Sequence, residues 1–205
     1  MKVDYCIAGL GNPGKRYLNT RHNIGFKVID RLKEFFKINS SLSENNYQFV
    51  TAEYESKIIM LIQPLTYMNS SGTALKEFTE KNKIPLENIL IVYDDVNLDF
   101  GTIRIRPSGS DGGQKGMHSI IYEIQSENIP RLRIGIRNLA ELEKFRIVSN
   151  YNLADYVLSE FTADERTSLD KILDASRDAV LCFIEYGIKD AMNKFNRNIL
   201  DKSFS

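Results

Sequence analysis

The sequence predicts an α/β domain with a mixed central sheet flanked by helices, and three observations carry that expectation. Runs of β-prone residues alternate with runs of helical period along the chain, the pattern of interleaved layers. At 205 residues with 42% hydrophobic side chains, including 11 Phe and 10 Tyr, there is apolar surface for a real core. No repeat, low-complexity tract or linker divides the chain, so residues 1–205 are expected to form a single domain.

Tyr5 to Leu10 is a short β-prone run closed by the turn composition Gly-Asn-Pro-Gly. From Ile24 the spacing becomes helical, with Val28, Ile29, Leu32, Phe35 and Phe36 on one face and Lys27, Arg31, Lys33, Glu34 and Lys37 turned outward. Asn23 is placed to cap that helix. The polar stretch 39–46 reads as a loop before two strands, Phe49 to Tyr54 and Ile58 to Gln63, joined as a hairpin through Glu55-Ser56-Lys57. A helix over Ser70 to Lys81 follows, then strands at Ile89 to Tyr93 and Thr102 to Arg106, a Gly/Ser loop, a helix near Met117 to Gln125 and a strand at Leu132 to Ile136. The stretch 138–154 reads as irregular and mobile. Thr162 and Glu165 form a capping box, and Leu169, Ile172, Leu173, Ser176, Val180, Phe183 and Ile184 keep the helical period up to Gly187, a left-handed stop.

The 27 Lys plus Arg balance the 27 Asp plus Glu, so the chain as a whole does not announce a nucleic-acid binder and any polyanion site has to be local. Cys6 and Cys182 lack metal-ligand or redox spacing and read as small buried hydrophobes, which fits a reducing cytosol. Asp4 interrupts the start where a signal peptide needs an uncharged run, and the apolar stretch Ile58 to Ile62 is too short to cross a bilayer, so a cytoplasmic protein without membrane contact is expected.

Gly9-Leu10-Gly11-Asn12-Pro13-Gly14 has the spacing of a dinucleotide-binding loop. That loop needs a helix to begin within the glycines, whereas Pro13 removes a donor there and the helical period starts only near Ile24. The acidic residue expected about 20 positions on would be Asp30 or Glu34, both inside that helix, so no cofactor is expected. Taken singly, other candidates have plain readings. Asn12 can shape its turn, Asn69 can cap the helix after it, and Asp94-Asp95 can end a strand. His22 can be a solvated loop residue, but a carboxylate at the end of the Ile89 strand would orient its imidazole and raise its basicity. His118 falls in a helix with no partner in view. There is no nucleophile elbow, zinc motif or phosphate loop, which leaves a hydrolytic mechanism by activated water.

Between Thr102 and Arg146, the eight positive charges of Arg104, Arg106, Lys115, Arg131, Arg133, Arg137, Lys144 and Arg146 face five negative ones, so this segment carries +3 and the remainder −3. Arg104 and Arg106 lie two apart on one strand, as do Arg131 and Arg133 on another, so each pair projects to one face. Phosphate binding and a solvated, charge-blunted sheet edge fit that spacing equally.

In their order, Gly9 to Gly14, Tyr17 with Thr20-Arg21-His22-Asn23-Ile24-Gly25, Pro64-Leu65-Thr66-Tyr67-Met68-Asn69-Ser70-Ser71-Gly72, Asp94 and Arg131-Leu132-Arg133-Ile134-Gly135-Ile136 resemble the bacterial peptidyl-tRNA hydrolases over nearly the whole chain. The resemblance implies an esterase that frees a peptide from the 3′ ribose of tRNA, with His22 as general base, Asp94 as its orienting carboxylate, and Asn12 and Asn69 holding the peptide and the attacking water. It implies that Tyr17 and Tyr67 form the aromatic wall of the cleft, and that Arg104, Arg106 and Arg133 grip the 5′ phosphate of the acceptor stem. In Gly112-Gly113-Gln114-Lys115-Gly116 the chain departs from the His-Asn common in the family, so Lys115 replaces an amide implicated in substrate positioning. A monomer without metal or cofactor, contacting the acceptor stem and 3′ CCA end, is the expectation. The alternative, a relative that binds RNA without catalysis as among chloroplast splicing factors, rests on that departure. Retention of His22, Asp94, Asn12 and Asn69 argues for the enzyme.

Overall fold

Short apolar runs with β-branched residues make the centre of the sheet: β1 (Tyr5–Gly9), β4 (Lys57–Pro64), β5 (Ile89–Asp99) and β7 (Arg131–Arg137). The computed structural model describes residues 2–148 and 153–201. β1 pairs parallel with β4 and β5, and β5 pairs parallel with β7. β2 (Leu42–Ser43) and β3 (Tyr47–Tyr54) add antiparallel on one side, and β6 (Ile103–Arg106) adds antiparallel to β7 on the other. The result is one mixed sheet in the order β2-β3-β4-β1-β5-β7-β6.

Both faces are covered, as parallel strands require. On one face α1 (Ile24–Phe35), α6 (Ala163–Tyr186) and α7 (Ile188–Phe195) enclose a core that includes Ile7, Leu32, Val92, Leu132 and Phe183. On the other, α2 (Ser71–Asn82) and α3 (Lys115–Ile124) pack over Ala8, Met60, Ile91 and Tyr93. The α/β expectation holds, and so does the capping box, with Glu165 N–H donating to Thr162 Oγ1 at 3.2 Å and Thr162 N–H donating to Glu165 Oε2 at 2.8 Å.

Several local expectations are corrected. The hairpin turn uses Glu55 and Ser56 alone, both at positive φ (49° and 58°), which matches the twist of the strands they join. Strand β5 continues past Tyr93 to Asp99 because Gly135 on β7 leaves room: a Cβ there would lie 2.1 Å from the Asp99 carbonyl oxygen. Phe35 is exposed and stacks edge-on with Phe36 and Tyr54 instead of entering the core. The 138–154 stretch contains α4 (Leu139–Val148), whose weak amphipathic contrast hid it, and the start of α5 (Leu153–Val157); residues 149–152 lie outside the described set. Gly187 has φ 87° and ψ 176°, so it turns the chain without a left-handed stop and α7 begins at once. Beyond α7, the Asn196 side chain bonds both the N–H and the C=O of Ile105, which covers the outer edge of β6.

Candidate active site

Parallel strands β1 and β5 pair as far as Gly9 and Val92, where β1 stops and β5 runs on, so whatever follows β1 meets the part of β5 that carries Asp94. The chain leaving β1 stays attached through the Leu10 N–H to the Val92 carbonyl at 2.8 Å, and Asn12 lies just beyond. A 3-10 turn, Arg21–Asn23, then places His22 beside Asp94 of β5, with all three residues of the turn buried.

Three contacts fix that turn. Asn23 does not cap α1 with its side chain; Oδ1 accepts from Asn12 N–H at 2.8 Å and Nδ2 donates to Asn12 C=O at 2.9 Å, locking the turn to the β1 loop. Arg21, 1% exposed, pairs with Glu165, also buried, at 2.6 Å and lies over the Tyr156 ring. Gly25 lets α1 touch the strands, since a Cβ would sit 2.4 Å from Val92 O. The capping glutamate of α6 is therefore also the partner of the residue before His22.

His22 Nδ1 lies 2.9 Å from Asp94 Oδ1 and 2.8 Å from Asp94 Oδ2. With Asp94 ionised, Nδ1 carries the proton and donates it to the carboxylate, which leaves the lone pair on Nε2. Nε2 has no partner among the described residues, and the ring lines a cleft of about 590 Å³. Asn12 is 7% exposed; its Oδ1 accepts the Met68 N–H at 2.8 Å, so the amide's orientation is fixed and its Nδ2 is left to the cleft. Asn69 is exposed and also lines the cleft, and it does not cap α2, whose cap position is Ser70. Tyr17 and Tyr67 meet edge to face, centroids 6.4 Å apart, and line the cleft together with Leu153, Val157 and Leu158 of the α5 region.

The glycine loop before α3 also lines the cleft. Asp111 Oδ1 accepts the Gly113 N–H at 2.7 Å, and this bond, with a weaker contribution from His118, holds the Asp111 carboxyl below the usual range. His118 thus has a partner, Asp111 at 3.3 Å, although it stays exposed. Lys115 is exposed in the cleft as the first residue of α3, where a positive charge opposes the helix dipole. One residue of this wall escaped the sequence reading: Gln114 donates from Nε2 to Asp94 Oδ1 at 3.1 Å. In the sequence it stands out only as part of the departure Gln114-Lys115 from the family's His-Asn.

The arginines divide. Register puts Arg104 opposite Arg133 and Arg106 opposite Arg131, so four guanidinium stems share the α3 side of the sheet. Arg131 is not a ligand-facing fork: it is 2% exposed and donates to the carbonyls of Ile129, Ser110 and Glu127. Arg133 is partly exposed and its Nε binds Asp95 Oδ2 at 2.5 Å. Arg104 and Arg106 have no ion pair among the described residues. Arg104 and Arg106 thus stand beside Arg133, which Asp95 pairs, and Arg131, which three carbonyls enclose. The side chain of Arg146 lies outside those described.

The glycine-rich loop forms no dinucleotide cradle, since α1 starts only at Ile24. Among the described residues no three His, Cys, Asp or Glu side chains are grouped to hold a metal ion, and no helix is long and apolar enough to cross a membrane.

A buried histidine–carboxylate pair thus opens on a cleft at the carboxyl side of an α/β sheet, where sites of this fold class form. A family model described as peptidyl-tRNA hydrolase matches residues 6–203. The chain belongs to the peptidyl-tRNA hydrolase family. It is 44% identical over 194 residues to the peptidyl-tRNA hydrolase of Thermoanaerobacter sp. (strain X514), covering 94% of this chain and 99% of that one. The Clostridium novyi (strain NT) protein is 39% identical over 192 residues, with 94% and 97% covered. The crystal structure of peptidyl-tRNA hydrolase from Acinetobacter baumannii superposes with a TM-score of 0.82 at 29% identity, covering 97% and 98% of the two chains. The protein is accordingly an enzyme that hydrolyses peptidyl-tRNA.

Proposed function

We propose that His22 is the general base of this hydrolysis, that Asp94 orients it and stabilises its charged form, and that the reaction needs no metal. One observation carries the reading: both Asp94 oxygens lie within 2.9 Å of His22 Nδ1, which leaves Nε2 as the acceptor facing the cleft. A water beside Nε2 loses its proton to the ring as it attacks the ester carbonyl joining the peptide to the 3′ ribose. The Asn12 and Asn69 amides hold the peptide and the water and support the tetrahedral oxyanion. The ribose oxygen leaves far more readily than an amine, so this modest apparatus suffices. Tyr17 and Tyr67 offer faces for the unstacked CCA end. Arg104, Arg106 and the outer nitrogens of Arg133 face the acceptor-stem phosphate, with Asp95 fixing the Arg133 stem, and Lys115, which lines the cleft, is a further cation for substrate. The enzyme acts as a cytoplasmic monomer built as a single domain.

The test is substitution at the pair. His22→Ala should fold and lose about 10²-fold to 10⁴-fold in rate. Asp94→Asn should also lose heavily, because an amide can hold the ring without stabilising its charge. Activity should be unchanged in a chelator. A folded His22→Ala variant with the parent's rate, or activity that chelation removes and metal restores, would refute the reading.

A further inference from the structure

Gln114 is the point at which the α3 wall of the cleft reaches the catalytic pair. Its side chain bonds in two directions: Oε1 accepts the Met117 N–H at 2.8 Å, capping α3, and Nε2 donates to Asp94 Oδ1 at 3.1 Å beside Met68 Sδ at 3.3 Å. The first bond settles which end of the amide is which, since only its oxygen can accept from a backbone N–H. The amino end must then face the carboxylate. Gly116 makes room for this arrangement, because a Cβ there would lie 2.5 Å from Met68 Sδ and 3.0 Å from Gln114 Oε1. Among the described residues, Gln114 is the donor that Asp94 has besides His22.

A donor on a carboxylate stabilises its charge and so reduces what that charge gives to a neighbouring cation. We propose that Gln114 is a positioning residue for the reaction: it fixes the plane of the Asp94 carboxylate and tempers its pull on the His22 proton, keeping Nε2 a free acceptor near neutral pH. This rests on His22 being the general base. The other titratable groups that line the cleft with the pair are Asp95, paired with Arg133; Lys115, adjacent to Gln114; and the phenols of Tyr17 and Tyr67. Arg21, before His22, is committed to Glu165.

Two variants separate this role from helix capping. In Gln114→Ser the hydroxyl still caps α3 but is too short to reach Asp94. Gln114→Met fills the space with neither donor nor acceptor. The readouts are the pH profile of kcat/KM on N-blocked aminoacyl-tRNA and the thermal midpoint. Both variants should move the acid limb to higher pH by about half a unit to one unit, a loss of roughly 3-fold to 10-fold at a pH on the limb, with the high-pH plateau kept within a few fold. Only Gln114→Met should also melt earlier. An unmoved limb in both variants, or a lowered plateau without movement of the limb, would reduce Gln114 to a helix cap and overturn the proposal. His22→Ala is measured alongside: if it kept the parent's rate, the general-base reading itself would fail, whatever the Gln114 variants did.

Discussion

Replacing Gly25 by alanine adds one methyl group at the contact that sets the height of His22 above the sheet. A Cβ at this position would lie 2.4 Å from Val92 O on β5 and 2.5 Å from both the N and O of Leu10 just past β1, all of them backbone atoms. Ordinary contact needs about 3.5 Å, so the start of α1 has to withdraw by about 1 Å. His22 lies three residues earlier on the same rigid segment, and its 2.8 Å contact with Asp94 would open toward ~3.8 Å, beyond a hydrogen bond. A misplacement of about 1 Å in a catalytic group costs on the order of 10²-fold in rate. Overpacking costs about 1–3 kcal/mol, and the helix propensity of alanine returns up to ~1 kcal/mol. For a chain of this length the net effect is a fall of a few degrees, at about 2–4 °C per kcal/mol. The expected result is a folded variant, slightly less heat-stable, with kcat on N-blocked aminoacyl-tRNA reduced about a hundredfold. A variant with the parent's rate and midpoint would show that α1 does not set the His22–Asp94 distance.

If Arg104, Arg106 and Arg133 bind the acceptor-stem phosphate, their alanine variants should cleave full-length N-blocked aminoacyl-tRNA poorly but spare an N-blocked aminoacyl ester of adenosine, and the salt dependence of tRNA binding should become shallower. Equal losses on both substrates would move these residues into the catalytic centre or the fold. Cys6 is fully buried, and burial pushes its thiol well above the ordinary range, with Cys182 also raised by burial. Neither should react with a thiol reagent in the native protein, and both should react in urea; rapid native labelling would contradict the packing described.

Much of the fold was legible in the sequence because its strands are short apolar runs and its long helices carry a clear apolar face. What escaped was set by tertiary contact. β5 runs on through Asp94, Asp95 and Asp99, residues poor in strand propensity, because Gly135 on the neighbouring strand leaves them space to pair. Asn23 looked like a helix cap and spends its amide on the Asn12 backbone instead, a contact across the loop that local pattern cannot show. The arginine spacing was visible, yet the division of labour was not: Arg131 is enclosed by three carbonyls and Arg133 is tethered to Asp95, whereas Arg104 and Arg106 carry no such bonds among the described residues. The pairing of His22 with Asp94 came from the ordered resemblance of motifs; spacing alone offered a loop histidine and a strand end, 72 residues apart. Gln114 was noticed only as a departure from the family pattern, and its bond to Asp94 depends on how α3 begins.

The central claim is that this cleft hydrolyses the ester of a tRNA whose acyl group is blocked at nitrogen. The most direct measurement is the release of the acyl group from N-blocked aminoacyl-tRNA and from free aminoacyl-tRNA, side by side, by the purified protein in the presence of a chelator. The account predicts multiple turnovers on the blocked substrate while the free one is spared. No release from the blocked substrate, or release only when a metal is supplied, would contradict it.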